Sequence, residues 1–356
     1  MKIELGVTAA AALVGWAFRD VPGSLGALDP GPRVLRSPHY RDGRFHNLHE
    51  ADPSLPEPGS AVREYVRGEQ RTPLAPIPVV RPRFGAPEPL TVHWLGHGTS
   101  LVDIEGRRIL FDPVFSERCS PSSRIGPRRV HPMPVAVRDL PRLDAIAITH
   151  DHYDHLDTAS VRALIRAQDA PFVVPLGVGA HLERWGAPRE RIIELDWDET
   201  AVVAGLRVTA TGAHHFSGRG LRRNPTLWCS YVVAGSEKRV FYSGDSGYFE
   251  GYATIGAAHG PFDVTLIQVG AYSASWPDIH MTPEEGVTAH RDLGGHLMVP
   301  VHWGTFVLAP HAWNDPPNRV KAEAKLHAVR LAIPRPGERV DVNAPPEPDG
   351  WWEPLA

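Results

Sequence analysis

Cysteine is scarce in this 356-residue chain: only Cys119 and Cys229. Two cysteines cannot build a disulfide framework or a cysteine-rich zinc module. No long run of one charge sign is present, and 37 basic against 41 acidic residues leave a net charge of −4. A nucleic-acid partner read through a basic face is therefore not expected. Long apolar runs are also missing. The longest near the start, Leu5 to Phe18, is shorter than the roughly 20 residues a membrane-spanning helix needs. It leaves three readings open: a signal peptide, a membrane-surface anchor, or a helix packed on the body. A cytoplasmic location is expected, with membrane association through residues 5–18 as the alternative. No short internal repeat is seen. At 42% apolar and 22% charged residues, the composition is that of a chain with a sizeable core.

Proline and histidine are abundant, at 36 and 19 residues. Prolines stiffen loops, and histidine is the commonest metal ligand. Residues 20–89 are rich in Pro, Gly, Arg and His with little periodicity, which predicts an arm wrapping and capping a core. From Leu90 the pattern changes. LTVHWLGH, TSLVDIEG and RRILFDPVF alternate like strands, with Glu105-Gly106 as a hairpin turn. AIAITH reads as a buried strand, and Val161, Leu164 and Ile165 have helical spacing after it. Strand-like runs recur at PFVVPLG, RIIELDW, LRVTATGAH, TLWCSYVVAG, KRVFYSGD, DVTLIQVGAY and HLMVPVHWG. Thr282, Pro283 and Glu285 signal a capped helix, and another helix is expected over Arg319 to Arg330. Strands interleaved with helices in both halves predict sheets covered by helices on their outer faces.

The segment Ile148 to Asp157, ITHDHYDHLD, carries four metal-capable side chains: His150, His152, Asp154 and His155. In an extended segment residues 150, 152 and 154 share a face, while His155 breaks the alternation. One such loop can offer ligands to two neighbouring cations, and imidazole with carboxylate suits zinc. More ligands are expected at later strand ends: His214-His215, Asp245 and His302 each follow an apolar run. Three protein ligands per metal leave coordination positions open, the mark of a catalytic site. Two such metals, about 3.5–4 Å apart, can share a hydroxide that serves as nucleophile.

The ordered words THDHYDH, AHHFSGR, YSGDSGY and VHWGTF resemble the metallo-β-lactamase-fold hydrolase superfamily. HYRDGRFHN, TVHWLGHGTSLVDIEGRRILFDPVFS, RNPTLW and HMTPEEGV resemble its N-acylphosphatidylethanolamine-hydrolysing phospholipase D branch, over roughly residues 39–310. The resemblance implies an αββα sandwich of the α/β (α+β) class, with residues 1–89 as apolar segment and arm and 90–356 as catalytic domain. It implies two zinc ions, or other divalent metals. His150, His152 and His215 would hold the first; Asp154, His155 and His302 the second; Asp245 would bridge. His215 is chosen over His214 because the family's ligand directly precedes an aromatic residue, here Phe216. His214 is left between contacting the ligands and a structural role.

Other residues keep two readings. Asp112 can orient a metal-bound histidine or make a turn before Pro113. His97 can wall the site or be a satisfied structural histidine, the reading preferred. Asp157 can support the metal ligands from behind or cap the helix that follows, the reading preferred. His280 is the candidate for protonating a leaving group or holding a phosphate oxygen, beside Asp154 and Asp245 in the chemistry. Arg219, Arg222, Arg223 and Asn224 can meet an anionic head group or form a solvated face. Tyr272 and Trp276 can wall a groove or pack, and the two cysteines are read as packing. The expected activity is zinc-dependent hydrolysis of a phosphodiester, in a small molecule or a phospholipid. The alternatives are a lactonase or amide hydrolase, an iron redox protein and a non-catalytic metal-binding module. The iron reading is disfavoured because its carboxylate is His152 here and no flavin domain is evident.

Overall fold

The computed structural model describes residues 16–48, 64, 66 and 70–355. The apolar run expected at 5–18 lies outside these except for residues 16–18, which are helical, with Trp16 and Phe18 exposed. Two small strands, β1 (Tyr40–Arg41) and β2 (Arg44–Phe45), form a hairpin in the N-terminal segment.

Two seven-stranded sheets make up the body. The first contains β3 (Leu90–Gly96), β4 (Thr99–Ile104), β5 (Arg107–Phe111), β6 (Ala145–Ala147), β7 (Phe172–Pro175) and β8 (Ile192–Leu195) in sequence order. The second contains β9 (Thr200–Val203), β10 (Leu206–Thr211), β11 (Ser230–Ala234), β12 (Arg239–Tyr242), β13 (Phe262–Gln268), β14 (Gly295–Val301) and β15 (Arg330–Leu331). The C-terminal strand β16 (Arg339–Asp341) returns to pair with β3. Each sheet begins as an antiparallel meander and ends parallel, from β5 to β8 and from β12 to β15. Parallel neighbours need crossovers. Helices Thr158–Ala167 and Gly179–Arg184 supply them in the first sheet; Gly251–His259, Pro283–Asp292 and Asp315–Leu326 in the second.

Side-chain alternation sorts the first sheet into two faces. Val92, Trp94, Val102, Ile109, Phe111, Ala145 and Val173 enter the core shared with the second sheet, beside Val208, Tyr231, Phe241 and Leu266. Leu101, Leu110, Ile146, Phe172 and Val174 face outward and pack on Val161, Leu164 and Leu182 of the covering helices. The order is thus helix, sheet, sheet, helix, as expected.

One local expectation shifts. The helix expected over Arg319–Arg330 runs from Asp315 to Leu326, with Asn314 at its N-cap and Pro316-Pro317 in its first turn. It ends before Ala328, which adopts a left-handed φ of 54°, and Arg330 already belongs to β15. The edge strand β9 and the helix Gly251–His259 were not anticipated. The first is a four-residue strand joined to β10 by an Ala204-Gly205 turn with both φ positive. The second is mostly small residues around the buried Tyr252 and Ile255, without an amphipathic stripe.

Candidate metal centre

All seven residues read as ligands meet at one end of the sandwich, on turns that follow strands of both sheets. The first sheet contributes His97 after β3, Asp112 after β5 and the 150–155 loop after β6; the second contributes His215, Asp245 and His302 after β10, β12 and β14. A bulge between Trp94 and Gly96 ends the β3 ladder and re-aims His97. Gly96, at φ 108°, has no room for a Cβ, which would lie 2.8 Å from the His131 ring. His97, Asp112 and His302 have φ of 55°, 39° and 67°. Non-glycine residues held there store strain, which collects at functional sites. The His302 N–H donates to the His97 carbonyl at 3.0 Å, so turns from the two sheets are bonded across the centre.

Two sets emerge. His150, His152 and His215 bring nitrogens together, with His152 Nδ1 2.9 Å from His150 Nε2 and 3.2 Å from His215 Nε2. Asp154, His155 and His302 form the other set, joined by His97, whose Nε2 lies 2.9 Å from Asp154 Oδ2. His302 Nε2 is 3.3 Å from the same oxygen. Asp245 stands between the sets. Its Oδ2 is 3.0 Å from His155 Nε2 and 3.8 Å from both His150 Nε2 and His215 Nε2; its Oδ1 is 3.2 Å from His302 Nε2.

The rings are held from behind. Asp112 accepts from Thr149 N and Oγ1, from the Tyr242 hydroxyl, and from His155 Nδ1 at 2.7 Å. Thr149 Oγ1 lies 3.0 Å from His150 Nδ1, and His215 Nδ1 donates to the Ile279 carbonyl at 2.9 Å. Each arrangement turns Nε2 inward. Burial, reinforced by neighbouring histidines, holds His150 and His215 well below the usual histidine range, so both are neutral. Burial pushes Asp154 and Asp245 up, but His155 and His302 outweigh it and keep both well below the usual carboxylate range. His155 Nε2 and Asp245 Oδ1 are buried without a hydrogen bond among the described residues. Such atoms cost about 1–3 kcal/mol each, which a cation between them would offset. The donor set of imidazoles and carboxylates fits zinc.

The remaining candidates divide. His97 joins the Asp154 set, correcting its reading as a merely satisfied histidine. Asp112 orients His155 directly. His280 reaches the centre, its Nε2 4.0 Å from Asp245 Oδ2. His214 belongs to neither set, packs beside Phe249 and bridges to Gly247 through its backbone. Asp157 caps the helix Thr158–Ala167 by accepting from Ser160 N. Tyr272 stacks on His311 and bonds Asp315, and Trp276 donates to the Ala271 carbonyl. Cys119 and Cys229 are buried, and burial raises both thiols.

Neither reading of Arg219 holds, because it is a buried staple. Its Nη1 donates to the carbonyls of Asp151 and Leu156, the two ends of the ligand-bearing loop, and its Nε donates to the Ser24 carbonyl. Tyr153 lies under its guanidinium at 4.0 Å and donates to its carbonyl. Arg222 and Arg223 are exposed, and Asn224 bonds Phe45 and Ser217. Unanticipated partners of the loop are Asp151 and His181, which bond each other at 3.3 Å, with Ala27 N donating to His181 Nδ1.

Known proteins show the same architecture. Residues 107–303 match the family described as the beta-lactamase superfamily domain. A protein of uncharacterised function from Mycobacterium tuberculosis is 48% identical over 97% of this chain and 96% of its own. The N-acyl-phosphatidylethanolamine-hydrolyzing phospholipase D 1 of Caenorhabditis elegans is 35% identical over 63% of this chain and 66% of its own. Among solved structures, Igni18, a novel metallo hydrolase from Ignicoccus hospitalis, superposes with a TM-score of 0.55 at 23% identity, covering 70% of this chain and 97% of Igni18. The chain belongs to the metallo-β-lactamase superfamily of metal-dependent hydrolases, and within it resembles the N-acylphosphatidylethanolamine-hydrolysing phospholipase D branch.

Proposed function

We propose that the chain is a dinuclear zinc phosphodiesterase of phospholipase D type, acting on N-acylphosphatidylethanolamine-like lipids. The observation that carries the two-metal reading is Asp245, whose carboxylate faces His150 and His215 on one side and His155 and His302 on the other. The phosphodiester reading is supported by the likeness to the C. elegans phospholipase D. Held by these residues, zinc would supply Lewis acidity toward a phosphoryl oxygen and a water made nucleophilic near neutral pH.

The protein's own part is positioning. Asp112, Thr149 and the Ile279 carbonyl fix the rings of His155, His150 and His215. His280, with Nδ1 unpartnered among the described residues, is placed to hold a phosphate oxygen or pass a proton to the leaving oxygen. Arg219 keeps the ends of the 150–155 loop together. The arm of residues 1–89 serves the domain 90–356 in this reading. Among the described residues no helix is long and apolar enough to cross a membrane.

The test is a parallel assay of the zinc-loaded protein on a bis-aryl phosphate, on vesicles containing N-acylphosphatidylethanolamine, and on a lactone. Turnover of the two phosphodiesters is expected. Turnover of the lactone alone would replace this reading with a zinc lactonase.

A further inference from the structure

The chain leaves its β ladder just before it reaches His215. Strand β10 ends at Thr211, and the last backbone bridge is between His214 and Gly247. Thereafter the peptide groups on either side of a ligand must be held by something else, since unpaired buried backbone groups are costly. That partner comes from the N-terminal segment. Asn47 Nδ2 donates to the His215 carbonyl at 3.0 Å, and Asn47 Oδ1 accepts from the His215 N–H at 3.1 Å. One carboxamide thus copies the donor and acceptor pattern of a neighbouring strand. The same Oδ1 also accepts from Trp228 Nε1 at 3.1 Å.

Asn47 stands on a fixed perch. Phe45, two residues earlier, is fully buried in the core between the sheets. Phe45 N donates to the Asn224 carbonyl, and Asn224 Nδ2 donates to the Phe45 carbonyl. Asn224 Oδ1 in turn accepts from Ser217 N, so the hairpin is tied to the loop that follows His215. His39 packs on Trp197 at 4.4 Å, and His46 N donates to the His39 carbonyl. The His215 ring is set by Ile279, whereas its main chain is set by Asn47.

We infer that Asn47 is a positioning residue: it fixes the main chain of His215 so that the imidazole completes the His150–His152–His215 set. This rests on reading His215 as a metal ligand. The side-chain chemistry is restrictive. Only an amide both donates and accepts at this length; aspartate cannot donate to the His215 carbonyl, and serine is too short to reach both groups. Residues that orient a ligand from behind typically cost 10–100-fold in metal affinity when changed.

The experiment titrates zinc-loaded protein with a competing chelator and counts zinc per chain, for the native chain and for Asn47→Asp, Asn47→Ser and His215→Ala. Thermal unfolding is recorded with and without zinc. One zinc in Asn47→Asp and Asn47→Ser is expected to be held about 10–100-fold more weakly, with the other unchanged. The gap between metal-free and loaded melting temperatures should shrink. A purely structural role would lower both melting temperatures together and leave zinc affinity alone, which overturns the inference. If Asn47→Asp fails to fold, Asn47→Ser carries the same two outcomes. His215→Ala separates the readings. If it keeps both zinc ions at native affinity, the ligand assignment fails. If it loses one while the Asn47 variants keep both, only the role of Asn47 fails.

Discussion

Asp112 Oδ2 lies 2.7 Å from His155 Nδ1, at the bottom of the metal centre and with no exposure to solvent. Without a metal, burial pulls His155 down, but Asp245, Asp154 and Asp112 outweigh it and hold the ring well above the usual histidine range; with a metal bound, the bond to Nδ1 would leave Nε2 as the ligand atom. Asn at position 112 would turn an amide N–H toward a donor, either the imidazole N–H or Thr149 N–H, and would remove the charge. Asp112→Asn is therefore expected to weaken zinc at the Asp154–His155–His302 set by about 10–100-fold, read by chelator competition. Unchanged affinity would remove Asp112 from the account.

Arg219 ties Asp151 to Leu156 and both to Ser24. Arg219→Met leaves three carbonyls without their donors in a buried network. Urea unfolding of the metal-free protein should show a loss on the order of 3 kcal/mol. A loss within about 0.5 kcal/mol, the usual range for surface changes, would mean that the staple is idle.

At the end of the sandwich away from the metals, Glu105 in the β4–β5 turn accepts from Ser236 N and Oγ and from the N–H groups of Glu237 and Lys238. Burial pushes this carboxyl up, but those bonds together outweigh it and bring it down to about 2. A folded pKa below the unfolded one gives stability that is present above the unfolded value and lost as pH falls through the folded value. Glu105→Gln should therefore narrow the stability difference from the native chain between pH 4.5 and 2, measured by denaturant midpoints. A difference independent of pH across that window would contradict the clamp.

His290, in the last turn of the helix Pro283–Asp292, is buried, with Nδ1 2.7 Å from Thr265 Oγ1. Burial, then His296, lowers it to about 4. Its sign is the reverse of an ion-paired histidine. Above the ordinary histidine value both states are neutral, and below it the unfolded state binds a proton that the folded state refuses. Stability should fall between pH 6.5 and 4 by up to about 1.4 kcal/mol per pH unit from this residue. His290→Gln should flatten that slope relative to the native chain, and an identical slope would count against it.

How much of this could be read from the chain follows from where the information sits. The ligand loop was legible because His150, His152, Asp154 and His155 lie within six residues after an apolar strand. The strands were legible because Val92, Val102 and Ile109 alternate with residues of the other face. Asn47 and Arg219 were hidden because each acts on main-chain groups, 168 and between 63 and 195 residues away. Main-chain targets leave no mark in composition. Phe45 and Asn47 fall within HYRDGRFHN, so the word was visible while its purpose was not. His97 was underread because one histidine in a hairpin carries no spacing signal, and the bulge at Gly96 that turns it inward is a property of the sheet. Gly251–His259 was missed because a helix of mostly small residues gives no periodic pattern.

The central claim is a pair of cations held by His150, His152, Asp154, His155, His215, Asp245 and His302. Elemental analysis of the native chain and of Asp245→Ala tests it most directly, with circular dichroism to show that both are folded. Two zinc ions per chain are predicted for the native protein, with fewer, and no turnover, in the folded variant. A native chain that takes up one metal or none under zinc saturation, or a folded Asp245→Ala that keeps both ions and its activity, would contradict the account.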